Sequence, residues 1–180
     1  MLPVNMVINI IIFAFFSIIF IYVSWPYLRK FSSRGFYRFF VFESILILIL
    51  INSKYWFENP FSLFQILSWI LLSVSVILVI TAVYNLHKKG APVKGIETTT
   101  KLVDRAVYKY IRHPMYASLF YLCWGSFLKN ISILGAMLTF GVTILLGLIA
   151  KIEEKENIEK FGDSYLDYMK KSKRLLPFVY

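Results

Sequence analysis

Residues 114–128 read PMYASLFYLCWGSFL and residues 131–150 read ISILGAMLTFGVTILLGLIA, with only Lys129 and Asn130 between them. Neither stretch carries a charge, and both are apolar on every face, unlike a surface helix with one wet side. Two such helices joined by so short a turn lie side by side and antiparallel. The first, at 15 residues or about 22 Å of helix, is short for a full crossing of a bilayer. A full hairpin and one that dips in and returns both end on the side where they began.

The same character continues towards the amino end. Residues 4–23 are 20 positions without a charge, close to what a hydrocarbon core requires. The nearest basic residues follow this run rather than precede it, so it reads as a spanning helix and not as a cleaved signal. Residues 39–51 are apolar apart from Glu43 and Ser44, and residues 61–86 run 26 positions uncharged. Hydrophobic residues make up 58% of the 180, charged residues 17%, and the mean hydropathy is +0.66. A water-soluble domain of this size could not hide so much apolar surface, so lipid is the expected solvent.

Lys and Arg number 20 against 10 Asp and Glu, a net charge of +10. Residues 24–38 hold four of the basic side chains, 87–113 seven and 151–180 seven, which leaves Lys54 and Lys129 on the other face. Cytoplasmic loops concentrate Lys and Arg, so five crossings with the amino end outside and the carboxyl end in the cytoplasm satisfy the count. The membrane is the cell membrane, or the endoplasmic reticulum in a eukaryote. The charge is thus accounted for by topology and anionic lipid, and no nucleic acid is expected as partner. The expected fold is all-α: a polytopic membrane bundle of about five transmembrane helices, with a helical hairpin over 114–150 and a cytoplasmic amphipathic C-terminal tail. Within this single structural domain, residues 1–86 form a three-helix scaffold and 87–180 a catalytic half.

The polar residues of that second half carry the chemistry. In Arg112-His113-Pro114-Met115-Tyr116, proline suits the first turn of a helix and keeps His113 out of helical geometry. Arg112 and His113 then stand at a helix amino end, where unpaired N–H groups and the dipole favour an anion. The competing reading has Arg112 reaching lipid phosphates and His113 capping the helix. Glu153 and Glu154 follow the fifth apolar run, either as a solvated helix start paired with lysines or as carboxylates facing a ribose or an ammonium. Ile158, Phe161, Tyr165 and Tyr168 form a helically spaced stripe that packs on the bundle or lies on the membrane. Arg174 meets headgroups by default. Glu43, an acid inside an apolar run, is a site candidate by default, but it lies five residues from Arg38, close to the surface, and is not expected to be catalytic; His87 leads His-Lys-Lys-Gly. Cys123 is the only cysteine, which excludes an intramolecular disulfide, and with two histidines no metal centre is expected. A phosphate-binding glycine loop is absent, which argues against ATP-driven transport.

Taken together, Leu102-Val103, Tyr108 to Tyr116 with its Arg-His-Pro-Met-Tyr ending, Glu153-Glu154, Phe161-Gly162-Asp163-x-Tyr165-x-x-Tyr168 and Arg174-x-x-Pro177 resemble the isoprenylcysteine carboxyl methyltransferase and phospholipid methyltransferase superfamily. The resemblance covers roughly residues 84–180. It implies an integral membrane enzyme that takes a methyl group from S-adenosylmethionine and gives it to a lipophilic acceptor. By position it implies His113, Tyr116, Glu153 and Glu154 in the cofactor pocket, lined by Leu102, Val103 and Tyr108. Arg112 and Arg174 would face the acceptor's polar group as catalytic residues, with Glu153 a candidate base for a protonated acceptor. Two places depart from the family pattern: residues 87–100, and Ala106, which stands where the family usually has glycine two residues before the connector tyrosine. A lipid-soluble carboxylate, such as a prenylcysteine, is the expected acceptor. A small membrane protein that binds anionic lipid or a partner subunit, and a sterol-reductase-like relative, remain the alternatives.

Overall fold

The computed structural model describes residues 4–31, 33–91 and 99–176. Pro177 of the C-terminal motif and residues 92–98 of the connector lie outside the described residues. Among those described the chain is all-helical: α1 (Val4–Leu28), α2 (Arg34–Ile51), α3 (Leu63–Lys89), α4 (Pro114–Phe127), α5 (Ile133–Phe161) and α6 (Asp163–Lys171), with one-turn 3-10 helices at Ser53–Tyr55 and Ala106–Lys109. Three of these, Met6–Leu28 within α1, Leu63–Lys89 and Ile133–Phe161, are long and apolar enough to cross a membrane. Their exposed residues recur at helical spacing: Ile11, Phe15, Ile18 and Tyr22 on α1, Ile70, Ile77 and Ile80 on α3, Met137, Phe140 and Ile144 on α5. Apolar stripes of this kind are stable only against lipid.

Two helices extend further than their apolar runs. α2 begins at Arg34 because the Ser33 hydroxyl accepts a hydrogen bond from Phe36 N at 3.2 Å and caps the helix. Gly35 permits that start, since a Cβ there would meet Tyr27 Cγ at 2.3 Å. α5 continues eleven residues past Ala150 to Phe161, so Glu153 and Glu154 lie within the helix rather than after it. Lysines and glutamates are good helix formers, which is why loss of hydrophobicity does not end it. Gly162, at φ +57°, ends α5 and starts α6, dividing the stripe from Ile158 to Tyr168 into two short faces.

The chain divides into two compact units, Met1–Trp69 with Cys123–Ile149, and Ile70–Leu122 with Ala150–Tyr180. In the first, Val41, Ile45, Leu48, Val142 and Leu146 are buried. Polar side chains tie backbone together where the helices end: Asn52 Nδ2 donates to Ser126 O at 2.9 Å and Ser68 Oγ to Gly125 O at 2.7 Å. Lys129 is buried here. Its ammonium donates to Gln65 Oε1 at 2.9 Å and sits 3.6 Å from the centroid of the Trp69 ring. Glu43 accepts from the Ser17 hydroxyl at 2.8 Å, joining α2 to α1.

In the second unit, Ala82, Val103 and Tyr108 form a buried apolar cluster, with Leu86, Val107 and Met115 packed against it. The turn that delivers Tyr108 to this cluster passes through Ala106 at φ +55° and closes with Tyr108 N donating to Arg105 O at 3.2 Å. A left-handed conformation costs a residue with a Cβ roughly 1–2 kcal/mol, a penalty glycine escapes. The departure from the family pattern at position 106 therefore falls on a strained residue. Ala106→Gly is expected to raise stability by about 1 kcal/mol, read as a higher midpoint of thermal unfolding in detergent. An unchanged or lower midpoint would contradict the strained turn.

Candidate functional site

Pro114 is the first residue of α4, which keeps His113 out of helical geometry and leaves the backbone just before the helix able to pair with another segment. The partner is the chain just after α6. Ile111 and Lys173 form a parallel bridge. Arg112 N donates to Lys173 O at 2.7 Å, His113 N to Arg174 O at 3.1 Å and Lys173 N to Tyr110 O at 2.9 Å. Arg112, His113 and Arg174 are placed together by this pairing, sixty residues apart in sequence.

Glu154 of α5, buried among them, is the centre of the cluster. Arg112 Nε donates to Glu154 Oε1 at 2.8 Å. Arg174 approaches the same carboxylate with Nε 3.1 Å from each oxygen and Nη2 2.7 Å from Oε2. The other branch of Arg112 binds backbone, Nη1 donating to Met169 O at 3.1 Å and also to Ser172 O. His113 lies between the two glutamates, with Nδ1 3.9 Å from Glu153 Oε1 and Nε2 3.6 Å from Glu154 Oε1. Both distances exceed those of a hydrogen bond, and Nε2, fully buried, has no hydrogen-bond partner.

Glu153, one residue earlier on α5, turns to another neighbour. Its Oε2 accepts the hydroxyl of Tyr116, whose ring stacks on His113 at 5.5 Å and 21°. Three phenols of the same segments, Tyr108, Tyr165 and Tyr168, are buried. Burial, and after it the charge of Glu153, pushes the Tyr108 hydroxyl well above its usual range. Burial pushes Tyr165 up to about 12, with Glu153 and Glu154 adding to it against a hydrogen bond from Asn157, and burial raises Tyr168. These hydroxyls stay protonated at neutral pH and are donors among carboxylates.

Of the residues singled out in the sequence, Arg112, His113, Tyr116, Glu153, Glu154 and Arg174 are therefore brought into one cluster. Tyr108 reaches it through the charge of Glu153. Val103 packs on Tyr108, while Leu102 is half-buried beside it in the chain. His87 is exposed in the last turn of α3 and takes no part. The site also uses residues that sequence reasoning assigned only to packing. Tyr168 OH donates to Tyr108 O at 2.6 Å, and Ser172 Oγ to Tyr168 O at 2.8 Å. The signal available for them was the spacing of Tyr165 and Tyr168.

The phospholipid methyltransferase family profile matches residues 63–170, more than half of the chain and all of the cluster except Arg174. The chain belongs to that family. It is similar to the methanethiol S-methyltransferase of Pseudomonas deceptionensis, 34% identical over 90 residues that cover 50% of this chain and 32% of that one. It is also similar to the enzyme of the same name from Crocosphaera subtropica, 32% identical over 84 residues, 46% of this chain and 31% of that one. The matched part spans about a third of the length of these curated relatives. With three apolar helices of spanning length, the family places the chain among membrane methyltransferases.

Removing a buried carboxylate leaves its cationic partners uncompensated. Glu154→Ala is expected to cost about 3 kcal/mol of stability, more than Arg174→Ala, because Arg112 then loses its only carboxylate. Thermal unfolding of the two variants in the same detergent decides it.

Proposed function

We propose that the chain is an integral membrane methyltransferase that moves the methyl group of S-adenosylmethionine to a lipophilic acceptor. The observation that carries this reading is the convergence of Arg112, His113, Tyr116, Glu153, Glu154 and Arg174 at the amino end of α4. The family supports it. The topology that goes with it is the one expected from charge: five crossings, amino end outside, carboxyl end cytoplasmic, scaffold in 1–86 and chemistry in 87–180.

The residues present suit the cofactor. The buried Nε2 of His113 lacks a protein partner, and a buried polar atom left without one calls for a ligand or water. His113, Tyr116 and Glu153 offer donors and an acceptor for ribose and amino groups. Leu102, Val103 and Tyr108 offer an apolar wall for a base. Glu154, with both oxygens taken by guanidinium groups, fixes the shape of the pocket rather than its polarity. S-adenosylmethionine, when bound, supplies an electrophilic methyl group on a sulfonium sulfur.

Formal charge separates the acceptors. Arg112 and Arg174 contribute two positive charges and Glu153 and Glu154 two negative ones, so these four side chains are neutral in sum. A carboxylate acceptor would have to compete with Glu154 for both arginines. A thiol, the acceptor in the name of the two relatives, enters neutral and needs a base. Glu153 would take the thiol proton, and S-adenosylmethionine, when bound, would supply the methyl group to the acceptor sulfur and leave as the neutral thioether that keeps the electron pair of the broken bond. Tyr116 holds Glu153 through Oε2, which fixes the carboxylate that accepts the proton. Burial excludes water from the nucleophile. The charge balance favours the thiol over the carboxylate.

The test is methyl transfer from labelled S-adenosylmethionine in membranes supplied with lipophilic thiols and carboxylates. Transfer to a thiol is expected, and Glu153→Gln should lower its rate at saturating cofactor about a hundredfold, beyond any change in cofactor affinity read by calorimetry. Transfer to carboxylates that survives Glu153→Gln would favour the other acceptor. No cofactor binding to the wild-type protein in bilayers would overturn the enzyme reading.

A further inference from the structure

The connector between α3 and α4 contains a strained turn. Ala106 stands at φ +55°; Tyr108 N donates to Arg105 O at 3.2 Å across it, and Tyr110 N and Ile111 N both donate to Val107 O at 3.1 Å just beyond. Its 3-10 helix has no side-chain cap. Strained backbone persists where its surroundings over-determine it. The surrounding contact here comes from α6: the buried hydroxyl of Tyr168 donates to Tyr108 O at 2.6 Å. α6 is itself fixed, by Ser172 Oγ on Tyr168 O at 2.8 Å and by the pairing of Ile111 with Lys173. The held residue, Tyr108, packs with Val103 and Ala82 in the buried apolar cluster.

We infer that Tyr168 is a positioning residue: its hydroxyl keeps the left-handed turn at Ala106 closed, and so keeps Tyr108 packed on Val103 as the apolar wall of the donor pocket. The inference rests on the methyltransferase reading above. Tyr168 touches neither donor nor acceptor; it acts through the Tyr108 carbonyl. A phenylalanine at 168 keeps the ring packing but leaves that buried carbonyl without its donor, so the turn relaxes and the pocket wall shifts. Glycine at 106 removes the strain that drives the relaxation, so the two positions are coupled.

The experiment is a double-mutant cycle in the full-length protein reconstituted in lipid, comparing wild type, Tyr168→Phe, Ala106→Gly and the pair. Tyr168→Phe should raise the KM for S-adenosylmethionine about fivefold, the factor for one buried hydrogen bond, with kcat little changed. In the Ala106→Gly background that rise should largely vanish. Ser75→Ala removes another buried hydroxyl, the one on Ser118 O at 2.8 Å, and should lower the unfolding temperature without moving KM. Additive effects, a fall in kcat alone, or an unchanged KM in Tyr168→Phe would overturn the inference. If wild type transfers no methyl group at all, the functional reading fails instead. The same cycle is then read in unfolding temperatures, where a Tyr168→Phe loss that shrinks beside Gly at 106 supports the coupling and an additive loss overturns it.

Discussion

The carboxylate of Glu154, buried between two guanidinium groups, is the interaction on which the second unit depends. A carboxylate removed from water is costly unless paired and hydrogen-bonded, and here Oε1 receives donors from Arg112 and Arg174 and Oε2 two from Arg174. Those two arginines arrive from different parts of the chain, one at the foot of α4, the other beyond α6. One charge therefore closes the loop between a connector, a spanning helix and the C-terminal segment. The backbone pairing of residues 110–113 with 173–174 would be marginal without it, because an isolated bridge has few bonds and much ordering entropy to offset.

Adjacent residues on a helix point about 100° apart, and α5 uses this to give two glutamates separate work. Glu154 turns to the arginines and Glu153 to Tyr116, with the His113 ring between them. The same charge type thus has a structural member and one aimed at chemistry, divided by one step of the backbone. The tyrosines add donors that remain protonated, so they bring hydrogen bonds to the polar interior without further charge.

Much of this was legible in the sequence because hydropathy and spacing act locally. The apolar runs became helices, the proline at 114 marked the start of α4, and the pairing of Arg-His-Pro-Met-Tyr with Glu-Glu and Arg174 could be expected from a family resemblance. Helix ends were less legible. The Ser33 cap extends α2 before its apolar run, and α5 continues past Ala150 because charged residues carry a helix as readily as leucine does. The partners of the arginines were not legible. Sequence offered an incoming ligand for Arg112 and Arg174, while the structure gives them Glu154, and only three-dimensional pairing reveals that competition. Tyr168 was read as packing, since a hydroxyl bound to a distant carbonyl leaves no trace in spacing.

α4 has 14 residues and rises about 21 Å, well under the roughly 30 Å of a hydrocarbon core. A lysine at its end would ordinarily tether the following turn to the headgroups. The indole face of Trp69 and the amide oxygen of Gln65 already solvate the Lys129 ammonium, so the protein takes the role of water. The turn after α4 is thereby held by Gln65 and Trp69 rather than by a headgroup.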